Sequence, residues 1–319
     1  MLATYKEGMS VGDIQYSSQA ATHYVMVYFQ VGLPLPPVAN DFESFSKQLK
    51  KYSQDNIRNV LILYGQTVFN FQGRSTDPLV LTGEAMDEDQ FMKECKQKKA
   101  VNNSNCARFM KMILAYFFEE YELAVENAEP LWNRKKVNDS THMYVSQYAF
   151  VSAMLAMAME AKTGNKHKYR KIHVKFMKMV VDWEKKGVGH VSHMVLLLRA
   201  EREAVMNNLS SEAIRAGYDK AIAALSKLGT LQYCALAYER CGRYLQRTGG
   251  DQWWASHYLK KALGKFFLAG TTNLFLIVLR TYNSVSISSR LIYRSPALYI
   301  SWCSQNIIKN GAQQPRWII

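Results

Sequence analysis

Apolar residues recur every three or four positions along most of this chain, from about Ser17 to Phe266. That spacing predicts a succession of amphipathic α-helices, because it places the apolar side chains on one face of each helix. Glycines and prolines stand between the apolar runs, at the positions where helices end or are separated. The alternation that is typical of β-strands is nearly absent. The pattern therefore predicts an all-α fold.

The clearest predicted helix runs from Leu231 to Arg247. Its apolar and small residues share one face, and Glu239, Arg240 and Arg243 lie on the opposite face, so we interpret it as amphipathic. The next helix is expected to begin after Asp251, which follows two glycines and is a suitable N-cap residue.

The predicted helices come in pairs that resemble one another, with first helices beginning near Asn105, Thr141, Gly189 and Thr230. In three pairs the second helix repeats one spacing of packing residues, at positions 0, +4 and +7, and the match is looser in the pair that contains Ala124, Ala128 and Leu131. Small residues at such positions let two helices approach closely, and larger residues fill the groove to the next pair. The pattern favours an α-α superhelix, a tetratricopeptide-like solenoid of helical hairpins, over a non-repeating helical bundle. The repeat-packing residues are Ile214, Tyr218, Ala221, Ala255, Leu259 and Ala262.

We divide the chain into an N-terminal extension (1–16), a helical-repeat domain (17–266) and an atypical basic tail (267–319) that is expected to be poorly ordered or irregular. No acidic residue follows Asp251. A read-through of non-coding sequence is the favoured explanation, and a basic segment that docks on an acidic surface is the alternative. The apolar stretch from Phe266 to Leu279 is too short to cross a bilayer core of about 30 Å as a helix. We expect it to form a buried helix or strand.

The composition indicates a folded protein of a reducing compartment. Apolar residues make up 48% of the chain, which is too many for a disordered protein. The five cysteines are dispersed and include no C-x-x-C pair, so neither a disulfide framework nor a zinc module is expected. The N-terminus lacks the basic start and apolar run of a signal peptide. We therefore expect a cytoplasmic location.

The formal net charge is +14, and one basic stretch from Lys162 to Lys178 lies on a predicted amphipathic helix. Such a surface can bind acidic proteins, nucleic acid or anionic lipid. A solvated outer face of a repeat helix is the favoured interpretation, ahead of an acidic protein partner; nucleic acid and membrane are not expected as partners. The candidate basic interaction face consists of Lys166, Lys168, Arg170, Lys171, Lys175 and Lys178.

No motif predicts catalysis. The chain has no phosphate-binding glycine loop, no kinase catalytic-loop string and no G-x-S-x-G. His190 and His193 have a spacing that two metal ligands on one helix can have, but no further ligand accompanies them, so we interpret them as surface or cap histidines. Glu119-Glu120 and the acidic run at 87–89 are interpreted as ordinary polar-face or helix-start carboxylates. We expect no enzyme activity, no catalytic residue, no cofactor and no metal.

Several local strings, taken in order, carry a resemblance to a known family. They resemble the long helical-repeat region of very large multidomain signalling proteins. In those proteins a serine/threonine-kinase-like domain and a signal-transduction ATPase module precede the repeats, and GAF, PAS, histidine-kinase or nucleotide-cyclase modules follow them. The strings are VGLPL from Val31, GRSTDP from Gly73, LVLTGEAMDE from Leu79, LAYFFEEYELA from Leu114, SEAIRAGYDKAI from Ser211 and ALAYERCGRYL from Ala235.

The resemblance covers about 17–266 and implies a tetratricopeptide-like, non-catalytic scaffold for signal transduction that binds protein partners or adjacent signalling modules. An alternative is a regulatory linker within a truncated signalling kinase, and a weaker alternative is a basic helical nucleic-acid binder. The sequence departs from the family after Ala262, where the family would continue with amphipathic helix. The oligomeric state stays open.

Overall fold

The computed structural model describes residues 1–133, 145–249 and 251–285, and within these residues it contains α-helices and no β-strand. The all-α prediction is confirmed. A 3₁₀ turn at Gly189–Val191 precedes α10. The helices are α1 Leu2–Ser10, α2 Ile14–Val31, α3 Leu35–Lys51, α4 Asp55–Gln72, α5 Glu88–Gln97, α6 Val101–Phe117, α7 Tyr121–Trp132, α8 Val145–Thr163, α9 Lys166–Lys185, α10 Ser192–Met206, α11 Ser211–Leu228, α12 Leu231–Arg247, α13 Gln252–Ala269 and α14 Thr272–Val285.

Consecutive helices pack in pairs, with α6 on α7, α8 on α9, α10 on α11 and α12 on α13. The even-numbered helices from α2 to α12 also contact one another in chain order, so they form a continuous inner row. Within this row α8 has the longest uninterrupted buried stretch, and α6, α7, α9 and α10 pack against it. Every residue from Gln147 to Glu160 is buried.

Local chemistry sets several helix ends where the sequence predicts them. α12 has the predicted bounds, Leu231 to Arg247. The Asp251 carboxylate accepts a hydrogen bond from the Trp253 N–H, which confirms it as the N-cap of α13. Ser210 caps α11 in the same way, and Gly229 ends that helix in the left-handed conformation.

All six repeat-packing residues of α11 and α13 are buried. The pair α12–α13 is packed closely enough to require a glycine at its interface. A Cβ atom at Gly242 on α12 would lie 2.7 Å from Cγ of Leu259 on α13, which is inside van der Waals contact. A side chain at position 242 would therefore push the two helices apart.

The C-terminal helices contact the N-terminal ones. Nε2 of Gln232, at the start of α12, donates to the backbone carbonyl of Leu33 at 3.0 Å, across 199 positions. Nδ2 of Asn273, at the start of α14, donates to the backbone carbonyl of Asn70 at 2.9 Å, across 203 positions. Because α14 also packs on α4, the last described helix closes onto the inner row near its beginning.

The structure shows helix where the sequence predicted the start of an irregular tail. α13 continues to Ala269, and Gly270 ends it in the left-handed conformation. α14 then buries one face of apolar residues at helical spacing, so the expectation of a buried helix or strand over 266–279 is met by helix, with a break at Gly270. Residues 286–319 lie outside the described residues. The buried residues of α14 are Leu274, Phe275, Val278, Leu279 and Tyr282.

Residues 1–16, expected as a plain extension, include α1, which packs on α2. No helix in the described ranges has both the length and the apolar character that crossing a membrane requires.

Because α14 is part of the packed array, replacing Phe275 with alanine should destabilise the fold. Phe275 is 2% exposed, and truncation of a buried phenylalanine costs about 3 to 5 kcal/mol. Urea unfolding of the full chain measures this change in the free energy of unfolding. Asn283→Ala, at an exposed position of the same helix, is the matched control and should change stability by less than about 0.5 kcal/mol. Equal effects of the two substitutions would mean that α14 is not coupled to the core.

Candidate functional site

A cavity of about 580 Å³ lies where α8, α10 and α12 approach their C-terminal ends. The turn between α6 and α7 completes its wall. We call it the polar cavity, because ionisable and hydroxyl groups occupy much of its lining: Glu119, Tyr121, Lys162, Glu201, Arg240, Arg243 and Arg247.

The centre of the wall is an ion pair between two inner helices. Nε of Arg240 on α12 donates to Oε1 of Glu201 on α10 at 2.8 Å, and the two side chains are only 13% and 4% exposed. The same carboxylate oxygen accepts from the Tyr218 hydroxyl at 2.9 Å. Nη1 of Arg240 also donates to the Tyr121 hydroxyl at 3.0 Å. The guanidinium is therefore fixed by partners from α7 and α10.

A second ion pair lies beside the first. Nη2 of Arg243 is 2.7 Å from Oε1 of Glu119, and Nε of Arg243 contacts Oε1 of Glu239 one turn earlier. Glu119 adopts a positive φ of 65°, which is uncommon for a residue other than glycine and costs on the order of 1 kcal/mol or more. Burial, together with nearby Glu239, raises the pKa of Glu119. This carboxylate is held in place at an energetic cost.

The polar face of α12 was misread from the sequence. An amphipathic surface helix would expose Glu239, Arg240 and Arg243 to water, but Glu239 is buried and the two arginines line the polar cavity. The reason is tertiary: α10, α11 and α13 all pack on α12. Tyr218, predicted only as a packing residue, also binds Glu201. The sequence signal that was available is the run of three ionisable residues within five positions on a helix otherwise rich in small and aromatic residues.

The structure distributes the six residues of the candidate basic interaction face along the exposed side of α9. Three of them are already paired with acidic residues of this chain: Lys168 with Glu129 of α7, Arg170 with buried Glu160 of α8, and Lys178 with Asp182. Lys175 donates to the Trp132 carbonyl and Lys171 contacts His167. Lys166 is exposed. Half of the six positive charges on this face are therefore paired with carboxylates of the chain.

The histidine pair is divided between two environments. His190 is exposed, with Nε2 at 3.4 Å from the Ser146 hydroxyl, whereas His193 is buried against the Tyr233 ring. Burial, aided by the charge of His190, lowers the pKa of His193 to about 4. Within the described ranges, no group of three or more His, Cys, Asp or Glu side chains is arranged to hold a metal ion.

Two of the three acidic residues at 87–89 have structural partners. Asp87 caps α5 by accepting from the Gln90 N–H, and Glu88 accepts from the Leu81 N–H at 2.8 Å. Glu119 differs from the ordinary polar-face carboxylate that was expected, because it pairs with Arg243 in the wall of the polar cavity.

An aromatic surface lies at the start of α13, formed by Trp253, Trp254 and His257. Trp253 is 62% exposed, although it stacks on the His257 ring at 5.3 Å and meets the Trp254 ring edge-on at 4.7 Å. The Arg215 guanidinium of α11 lies 4.1 Å from the centroid of the Trp254 ring. The sequence analysis did not single out this cluster. Its signal was the adjacent tryptophan pair directly after a helix N-cap.

No family model, curated protein or solved structure matches this chain. The assignment of a site to this chain therefore depends on the geometry of its own residues.

Removing the cation of the central ion pair should strongly destabilise the fold. Arg240→Met leaves the buried carboxylate of Glu201 without its counter-charge, and breaking one partner of a buried ion pair typically costs about 3 to 5 kcal/mol. Urea unfolding measures the loss. The double variant Arg240→Met/Glu201→Leu should recover a large part of it, because no buried charge is then unpaired. Arg199→Met, at an exposed position of α10, is the control and should lie within about 0.5 kcal/mol of wild type. A double variant less stable than the single one would contradict this account of the pair.

His193 should make the fold sensitive to mild acid. The unfolded chain binds a proton at this imidazole as the pH falls through its ordinary value of 6.5, but the folded chain does so only near pH 4. The unfolded state therefore gains protons first, and stability falls between pH 6.5 and about 4, with a slope of up to about 1.4 kcal/mol per pH unit. His193→Phe should flatten the curve of unfolding free energy against pH in that window. His190→Gln should leave most of the slope, and an unchanged curve for His193→Phe would show that this imidazole is not the titrating group.

Proposed function

We propose that this chain is a non-catalytic scaffold that binds a protein partner through the aromatic surface of α13. The observation that carries the proposal is the 62% exposure of Trp253 within an ordered aromatic cluster. A tryptophan in water leaves a large apolar area unburied, and tryptophans at protein interfaces contribute disproportionately to binding energy. Aromatic packing with His257 and Trp254 holds the ring, so little side-chain entropy remains to be lost when a partner binds.

The charges around the aromatic surface favour a partner with an acidic rim. Arg215 lies against Trp254, and Lys260 and Lys261 follow His257 by one helical turn on α13. These two lysines also lower the pKa of His257, after the larger contribution of burial, which places their charge close to the ring. A partner that offers an apolar pocket for Trp253 with carboxylates around it would match both features.

Two buried cysteines, Cys106 and Cys241, are not activated as nucleophiles. Burial raises the pKa of the Cys106 thiol to about 12, and burial with nearby Asp219 also raises the pKa of the Cys241 thiol. Nucleophilic cysteines have lowered pKa values, so these two thiols are shifted in the direction opposite to activation. The buried cation of Arg240 and the carboxylate of Glu201 are bound to each other.

The proposal also concerns the way in which the helix pairs are arranged. We infer that the pairs α6–α7, α8–α9, α10–α11 and α12–α13 are tetratricopeptide-like repeats of an α-α superhelix. The support is that each pair is consecutive, and that the residues at positions 0, +4 and +7 of the spacing on α11 and α13 are all buried. In such arrays a repeat surface presents residues to a partner, in agreement with a role as a signalling scaffold.

Site-specific photocrosslinking tests the proposal. A photoreactive phenylalanine at position 253 should capture a defined protein from an extract of the source organism, and the same probe at Val174 should not. Val174 lies on α9 and is 52% exposed, so it is matched for accessibility. The captured protein, purified, should then bind Trp253→Ala at least tenfold more weakly than wild type, and bind Val174→Ala within twofold. Equal capture at both positions would overturn the proposal. A partner whose affinity is unchanged by Trp253→Ala would overturn it as well.

A further inference from the structure

The polar cavity has the dimensions and composition of a small-molecule site. Its volume of about 580 Å³ lies within the range of pockets that bury small organic ligands. One part of its wall is apolar, formed by Ala158 and Ala161 of α8 with Ala204 and Val205 of α10. Arg240, Arg243 and Arg247 of α12 contribute charged side chains to the same lining. Such a wall suits a molecule with an apolar body and one charged group.

The lining carries more positive than negative charge. Its cations are Lys162, Arg240, Arg243 and Arg247, and its carboxylates are Glu119 and Glu201. Each carboxylate is paired with one arginine, Glu201 with Arg240 and Glu119 with Arg243. A third carboxylate behind the wall, Glu239, also contacts Arg243. The remaining two cations are therefore the ones available to a bound anion.

Those two cations are accessible. Lys162 forms an ion pair with Glu122, which lies outside the lining, and both side chains of that pair are about half exposed. Exposed pairs of this kind contribute little and exchange partners readily. Arg247 is exposed at the end of α12 and has no carboxylate within ion-pair distance among the described residues. An anion between them needs no buried ion pair to be broken.

The deeper groups are pre-organised. Arg240 is fixed by Glu201 and Tyr121, and Arg243 by Glu119 and Glu239. Glu119 keeps its position despite a positive φ. Strained backbone and buried charge are found where a site must hold a geometry before its ligand arrives.

We propose that the polar cavity binds a small organic anion, with a carboxylate or phosphate group between Arg247 and Lys162 and an apolar body against Ala158 and Val205. This site is separate from the aromatic surface of α13, so it goes beyond the protein-binding role. A competing role for the two cations exists, because both lie in the last turn of their helices, where a basic side chain offsets the helix dipole. The experiment below separates the two roles.

Isothermal titration calorimetry of the full chain tests the site, with hexanoate and hexyl phosphate, each an apolar chain that ends in one anionic group, as probes at constant ionic strength. We expect saturable 1:1 binding of at least one probe; comparing the two distinguishes a carboxylate from a phosphate ligand. Arg247→Gln and Lys162→Gln should each weaken binding at least tenfold, and Arg199→Gln, an exposed arginine of α10 outside the cavity, should change it less than twofold.

Thermal melting of the same variants checks their folding. Binding that is absent for both probes, or that weakens equally in Arg199→Gln, would overturn the proposal. A lower melting temperature for Arg247→Gln with unchanged anion affinity would assign that cation to the helix dipole alone, and would overturn it as well. None of these outcomes depends on Trp253, so the anion site and the protein-binding surface can fail independently.

Discussion

The arrangement of the fold depends on the need to cover α8 on every side. From Gln147 to Glu160 this helix exposes no face to water, so it is stable only where neighbours enclose it completely. α9 covers it as the partner of its own pair, and α6, α7 and α10 supply the remaining contacts. The inner row of even-numbered helices and the outer helices that accompany it follow from this requirement. Burial of α4 from Leu61 to Phe71 imposes the same condition near the N-terminus.

The C-terminal helices of the described array also contact the N-terminal ones, and this contact covers part of α4. α14 packs on α4, and Gln232 and Asn273 bond to backbone carbonyls about two hundred positions earlier. Helix α12 is packed on several sides by α10, α11 and α13, although its sequence carries charged residues on one face. Those charges are tolerated because each has a partner: Arg240 binds Glu201, and Arg243 binds Glu119 and Glu239. The polar cavity is the space that remains beside these pairs.

Local features could be predicted from the sequence, whereas features that depend on distant pairing could not. The bounds of α12 and the Asp251 cap could be predicted because both depend on residues that are near in the sequence. The pairing of Arg240 with Glu201 joins positions 39 apart on different helix pairs, and no spacing rule reveals it. Helix α14 was predicted in part. The apolar stretch over 266–279 predicts a buried helix or strand, whereas the lack of acidic residues led to the different expectation of an irregular tail over the same residues.

The basic helix α9 likewise has features that local sequence predicts and features that depend on distant residues. Its amphipathic pattern and exposed lysines were predicted from the sequence. The partners that pair with Lys168 and Arg170 come from α7 and α8, so the partial neutralisation of this face is a tertiary property. The aromatic surface also depends on the fold, because only the structure shows that Trp253 is exposed.

Amide hydrogen exchange, resolved to individual helices by mass spectrometry, tests most directly the claim that the array is one enclosed unit joined at its ends. The account predicts that the amides of α14 exchange slowly, with an opening free energy close to that of α8, because both open only when the whole array unfolds. Fast exchange across α14 while α8 stays protected would contradict it.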